Sequence, residues 1–163
     1  MPKRELSVLA SGYTYLEGLR WHDGRLWASD FYTGQVIAVD LQGRVEVICR
    51  VLQQPSGLGW LPDGRLLISS MKDRKLLRRE TDGTLSQHAD LSALTGGPLN
   101  DLGGDDQGRA YVGNFGFDLM AGEPFATTTL VRVDTDGVAQ VVADGLWFPN
   151  GSFITPDGKT LIV

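Results

Sequence analysis

The chain has 163 residues, of which 42% are hydrophobic and 21% charged, with a formal net charge of −5. This acidic balance argues against a phosphate-backbone binder, which concentrates Lys and Arg on one face. No long apolar stretch follows Lys3, Arg4 and Glu5, so neither a signal peptide nor a membrane span is expected, and the single cysteine, Cys49, supports no internal disulfide framework.

One unit recurs along the chain. It begins as Glu17-Gly-Leu-Arg-Trp-His-Asp-Gly-Arg and returns at Ser56-Gly-Leu-Gly-Trp-Leu-Pro-Asp-Gly-Arg, Asn100-Asp-Leu-Gly-Gly-Asp-Asp-Gln-Gly-Arg and Asn150-Gly-Ser-Phe-Ile-Thr-Pro-Asp-Gly-Lys. The turn glycines Gly24, Gly64, Gly108 and Gly158 are 40, 44 and 50 residues apart, the period of blade-like repeats. Asp-Gly between alternating apolar residues predicts a hairpin, because glycine takes a positive φ without a Cβ clash. In the first unit this places strands near Gly18–Trp21, Arg25–Ser29, Gln35–Val39 and Arg44–Cys49. The second unit repeats the layout through Asp63-Gly64, Met71-Lys72-Asp73 and Asp82-Gly83. Gly24 to Gly43 and Gly64 to Gly83 both span 19 residues, whereas Gly108 to Gly137 spans 29, so the third unit carries ten extra residues around Gly116–Ala126.

The reading is all-β: a propeller with about three blades and the start of a fourth, six blades being expected in full. The sequence stops inside an apparent strand at Lys159-Thr-Leu-Ile-Val163, so residues 1–163 are expected to be the N-terminal portion of one truncated propeller domain. Self-association of such an incomplete ring is expected, and a short natural product that dimerises is the alternative. The basic run Lys72, Arg74, Lys75, Arg78, Arg79 reads as a solvated sheet edge, and Cys49 as a small buried or half-buried side chain in a reducing, cytoplasmic protein.

Meander topology gives a sidedness. The first strand of a blade is innermost, and its start shares one face with the turn between the second and third strands. Glu17, Ser56, Asn100 and Asn150 should therefore ring one channel mouth, together with the turns at 30–34 and 71–73 and the 116–126 insertion. The Asp-Gly turns fall at the far end. Glu17, Asn100 and Asn150 offer hard oxygen donors suited to Ca²⁺ or Mg²⁺. The competing reading is that they satisfy backbone groups at strand starts. Asp101 either joins the chemistry or points away and braces Asn100. His22, at the far face, is expected in solvent, and His88 in a polar outer strand has no evident partners. Ser56 reads as a quiet pocket wall, and Trp21 and Trp60 as equivalent inter-blade packing residues. The pairs Gly96-Gly97 and Gly103-Gly104 lack the lysine and helix of a phosphate loop.

These motifs together resemble the SMP-30/gluconolactonase/regucalcin-like family of six-bladed propellers. The resemblance rests on Leu16-Glu17-Gly18 before Trp21, Pro55-Ser56-Gly57-Leu58 before Pro62-Asp63-Gly64-Arg65, Asn100-Asp101 before Gly108-Arg109, and Phe148-Pro149-Asn150-Gly151 before Pro156-Asp157-Gly158. It implies one divalent cation at the channel mouth, Ca²⁺ first and Zn²⁺, Mn²⁺ or Mg²⁺ as alternatives. Glu17 and Asn150 would then be ligands, with Asn100 touching metal or substrate. A remaining aspartate ligand would lie in a later blade, so this segment is not expected to catalyse alone. The implied activity is Lewis-acid opening of a lactone or related ester, with Asn100 and Asp101 as catalytic candidates. The alternative is a calcium- or small-molecule-binding propeller without turnover. Pro98 stands where lactone-opening members often carry arginine. With Phe117, Leu119, Met120 and Phe125 walling the mouth beside Ser56 and Asn100, this favours an apolar lactone or ester over a polar sugar acid.

Overall fold

The computed structural model describes residues 6–163. Successive strands β1 (Leu16–His22), β2 (Arg25–Asp30), β3 (Gln35–Val39) and β4 (Val45–Arg50) form one antiparallel meander. A second follows as β5 (Pro55–Trp60), β6 (Leu66–Ser70), β7 (Lys75–Arg79) and β8 (Leu85–Asp90). A third comprises β9 (Leu99–Gly104), β10 (Ala110–Asn114), β11 (Thr128–Val133) and β12 (Ala139–Leu146). The hairpin β13 (Phe153–Ile154) and β14 (Leu161–Ile162) begins a fourth unit. Three four-stranded blades and one hairpin thus stand in an open partial ring, and their first strands contact one another at its centre.

The turns explain why Asp-Gly recurs. Asp23 and Gly24 both have positive φ, 48° and 70°, giving the two-residue turn whose twist matches its strands. Elsewhere the turn is longer: Gly64 N–H donates to the Leu61 carbonyl and Leu61 N–H to that of Arg65, while Asp63 accepts from Arg65 N–H. The same two backbone bonds recur at Gly43, Gly83, Gly108 and Gly137, and at Gly158 the closing bond reaches one residue further, from Thr155 N–H to the Thr160 carbonyl.

Alternation along the strands fills the gaps between blades. From β6, Leu66 and Ile68 face the first blade, where they join Trp27, Val36, Ala38, Val51 and Leu58. Their neighbour Leu67 faces the third blade, in a core with Leu76, Leu99, Leu102, Val112 and Val131. Cys49 lies half-buried against the first of these cores, and burial pushes its thiol up to about 11 despite nearby Arg79. Among the described residues, no helix is long and apolar enough to cross a membrane.

Four local expectations are corrected. His22 is not free in solvent: its ring stacks on Trp60 at 3.9 Å between centroids and meets Trp27 edge-on, closing the seam between the first two blades. Trp60 is therefore the residue that fills this seam, where it meets Trp27 edge-on, whereas its repeat counterpart Trp21 is 58% exposed within residues 6–163. His88 does have partners. Its Nε2 lies 3.2 Å from the Asp134 carbonyl in the third blade and its Nδ1 3.4 Å from Arg78, and burial holds its pKa below the usual histidine value. Nor is the basic run a bare edge: Arg78 pairs with Glu80, Arg74 donates to the Thr95 carbonyl, and only Lys72 of the five is exposed.

Candidate functional site

The first strand of every blade breaks register at the same place. Glu17 pairs with Ser29 but Arg20 with Trp27, Pro55 with Ser70 but Leu58 with Ile68, and Leu99 with Asn114 but Leu102 with Val112. Each strand has one residue more than its partner over that interval, the signature of a β-bulge. Glu17 borders the first of these bulges and Ser56 and Asn100 lie within theirs, which re-aim side chains at the strand start towards the mouth. The tight centre depends on glycine at Gly18, where φ is +58° and a Cβ would fall 2.3 Å from the Ser56 carbonyl oxygen. At Gly57 a Cβ would meet Leu102 N at 2.4 Å.

Glu17, Asn100 and Asn150 line a single cavity of about 240 Å³, with Phe31, Phe115 and Phe148 among its apolar walls. Ser56 Oγ donates to Glu17 Oε2 at 2.7 Å, and Ser29 Oγ donates to the Ser56 carbonyl at 2.6 Å. Glu17 is thereby oriented from the next blade. Asn100 is 1% exposed and its Nδ2 donates to the Pro149 carbonyl at 3.3 Å, which commits its amide nitrogen and leaves Oδ1 as the group to offer. Phe148 has φ +52°, a left-handed conformation that is unusual for a bulky residue and is characteristic of ligand sites. That backbone turn places its ring on Phe115, with centroids 4.4 Å apart, and its following carbonyl at Asn100.

A second ring of equivalent positions surrounds the first, and motif reading missed it. Phe31, Met71 and Phe115 each immediately follow the second strand of a blade, and each backbone N–H donates to a residue just ahead of the first strand: Tyr15, Gln54 and Pro98. The three side chains converge with Phe148 in one buried apolar cluster at the mouth. The available signal was a large apolar residue at this repeat position in all three units. Asp30 anchors the first of them: it is buried, and it accepts from Thr14 N–H and Tyr15 N–H at 3.0 Å each and from the Thr14 and Thr33 hydroxyls. Burial alone would raise its pKa, but these donors outweigh it and hold the carboxyl below the ordinary aspartate value.

The remaining expected residues divide. Met120 and Leu119, from the long β10–β11 connection, line the cavity. Phe117 is buried one layer back, tilted against Phe125 and Phe148, and Phe125 stacks on Trp147. Ser56 is fully buried and supports Glu17 rather than forming a wall. Asp101 does not line the cavity; it accepts from Arg20 Nη2 at 2.7 Å and caps Leu102 N–H. Among the described residues, no three His, Cys, Asp or Glu side chains gather as a metal cluster. A cation at this mouth would thus rest on one carboxylate and carboxamide oxygens, a hard donor set compatible with Ca²⁺ or Mg²⁺.

Known proteins share this architecture. A pentonolactonase of Haloferax volcanii is 29% identical over 145 residues, spanning 86% of this chain and 46% of its own length. A gluconolactonase structure from Xanthomonas campestris superposes with a TM-score of 0.76 at 25% identity, over 94% of this chain and 55% of that one. The calcium-binding protein regucalcin from Agrobacterium tumefaciens gives 0.72 at 25% identity, over 91% and 49%. The chain therefore spans about half the length of these relatives. Residues 16–163 match the family described as SMP-30/Gluconolactonase/LRE-like region, and with its bulged first strands ringing a polar mouth the chain belongs to that family.

Proposed function

We propose that the full-length protein is a metal-dependent hydrolase that opens a lactone or related ester. The observation that carries this reading is the convergence of the Glu17 carboxylate and the Asn100 and Asn150 carboxamides on one cavity, with Glu17 braced by Ser56. Two relatives, a pentonolactonase and a gluconolactonase, act on lactones by their names and support the reaction class. Residues 1–163 are on this proposal the N-terminal part of one propeller domain, with a further carboxylate supplied by a later blade. A cytoplasmic setting goes with it, supported by the single half-buried thiol.

Glu17 and Asn150 would hold the cation, with Asn100 Oδ1 directed at cation or substrate. When bound, such a cation supplies Lewis-acid polarisation of a carbonyl, with Ca²⁺ first among the candidates. Glu17 contributes the charge that retains it, and Ser56 fixes which carboxylate oxygen remains available. Asn100 orients the substrate carbonyl while the Pro149 carbonyl prevents its amide from flipping. Asp101, tied to Arg20, holds β9 in place beneath Asn100 and so acts as a positioning residue.

The test is a panel of lactones and aryl esters with the full-length protein, with and without chelator. Turnover abolished by chelator and restored by Ca²⁺, Mn²⁺, Zn²⁺ or Mg²⁺ supports the proposal. Tight calcium binding without turnover of any member would replace it with a binding propeller, a reading favoured by the regucalcin likeness.

A further inference from the structure

A second cavity, also of about 240 Å³, adjoins the polar one and shares three walls with it: Phe31, Phe115 and Met120. Its own walls include Met71 and Pro98, and neither Glu17, Asn100 nor Asn150 reaches it. The floor is therefore the convergent cluster Phe31, Met71 and Phe115, three equivalent residues from three blades. Met71 is 2% exposed, so this floor is packed, whereas Met120 is 65% exposed and its unbranched side chain forms an adaptable outer wall. Lys72 and Asp118 also line the cavity, and Asp118 is fixed by accepting Met120 N–H and Ala121 N–H at 3.0 Å each. Gln54 adds one strained wall, with φ +67°.

Polar and apolar functions are thus separated along one cleft. A polyhydroxylated ring filling both halves would bury hydroxyls against Phe31, Met71 and Phe115, and each unmatched hydroxyl is costly. An apolar substituent there removes its own surface and that of the exposed Met120 from water at no such cost. We infer that the second cavity is a subsite for an apolar side chain on the substrate, so that the preferred substrate is a lactone with an alkyl or aryl tail. The reacting carbonyl lies at Glu17, Asn100 and Asn150 while the tail crosses the Phe31–Met71–Phe115 floor towards Lys72. This inference rests on the hydrolase reading for the identity of the ring, but the tail subsite is measurable without turnover.

The experiment is calorimetric titration of the calcium-loaded full-length protein with non-hydrolysable lactams whose unbranched side chains lengthen from methyl to octyl. Affinity should rise about three- to fourfold for each added methylene until the cleft is full. Pro98→Arg and Met120→Asp should each flatten that rise, and Met120 is exposed enough for its substitution to leave the fold intact. A series that does not rise in the unaltered protein overturns the subsite. A rise that survives both substitutions overturns its placement. Hydrolysis of the unsubstituted lactone, measured with and without chelator, separately reads the hydrolase proposal. Absent turnover with a rising lactam series removes the enzyme and keeps the subsite, whereas chelator-sensitive turnover with a flat series does the reverse.

Discussion

Ser56 of the second blade donates a 2.7 Å hydrogen bond to Glu17 of the first, across 39 residues of sequence. Both residues stand at bulges of adjacent innermost strands, so the bond exists only while the two blades remain seated on each other. Orientation of the mouth carboxylate and packing of the ring are therefore one structural fact.

Removing that hydroxyl tests the link. Ser56→Ala should weaken divalent-ion affinity of the full-length protein roughly tenfold, the usual scale for groups that orient a ligand. Glu17→Gln should weaken it more, through lost charge with shape preserved. Calcium titration calorimetry reads both, and an unchanged affinity in Glu17→Gln would remove Glu17 from the ligand set.

Inter-blade contact predicts a contrast between glycines. Gly57→Ala drives a Cβ to 2.4 Å from Leu102 N, whereas at Gly104, which has no positive φ, a Cβ would meet only the Arg109 carbonyl oxygen at 4.0 Å. Chemical denaturation should record a loss of about 3 kcal/mol for Gly57→Ala and a change within about 0.5 kcal/mol for Gly104→Ala. Equal effects would mean that the first strands do not meet at the centre as described.

His22 separates stability from activity. Its stacking on Trp60 closes the blade seam far from the mouth cavity, so His22→Ala should cost about 1 kcal/mol of stability. Hydrolytic turnover should remain unchanged. A tenfold fall in kcat by a variant that melts cooperatively would contradict the sidedness of the ring.

Asp30 gives a pH signature. Its folded pKa lies below the unfolded value, so the unfolded chain binds the extra proton as acid is added. Its contribution is complete above the ordinary aspartate pKa of about 3.9 and declines as pH falls through that value to the lower folded one. Asp30→Asn should therefore cost roughly 2 kcal/mol at neutral pH. The gap between variant and unaltered protein should narrow below about pH 4. A gap that widens in acid would show that the carboxylate is not the favoured form in the fold.

Repeat period, turn position and the sense of the meander were legible in the sequence, because they depend on residues close together along the chain. Asp-Gly between short alternating runs marks the hairpins at Gly24 and Gly64, and equal spacing from Gly24 to Gly43 and from Gly64 to Gly83 marks equal blades. The same logic placed Glu17, Asn100 and Asn150 at one mouth. Tertiary structure alone decided how they are held. The need for glycine at Gly18 depends on the carbonyl of Ser56 lying where a Cβ would be, and the role of Ser56 depends on Glu17 standing opposite. The stack of His22 on Trp60 and the meeting of Phe31, Met71 and Phe115 likewise arise only when blades pack. Such contacts join residues far apart in sequence, and their geometry is set by strand twist and close packing between sheets, which no local pattern encodes.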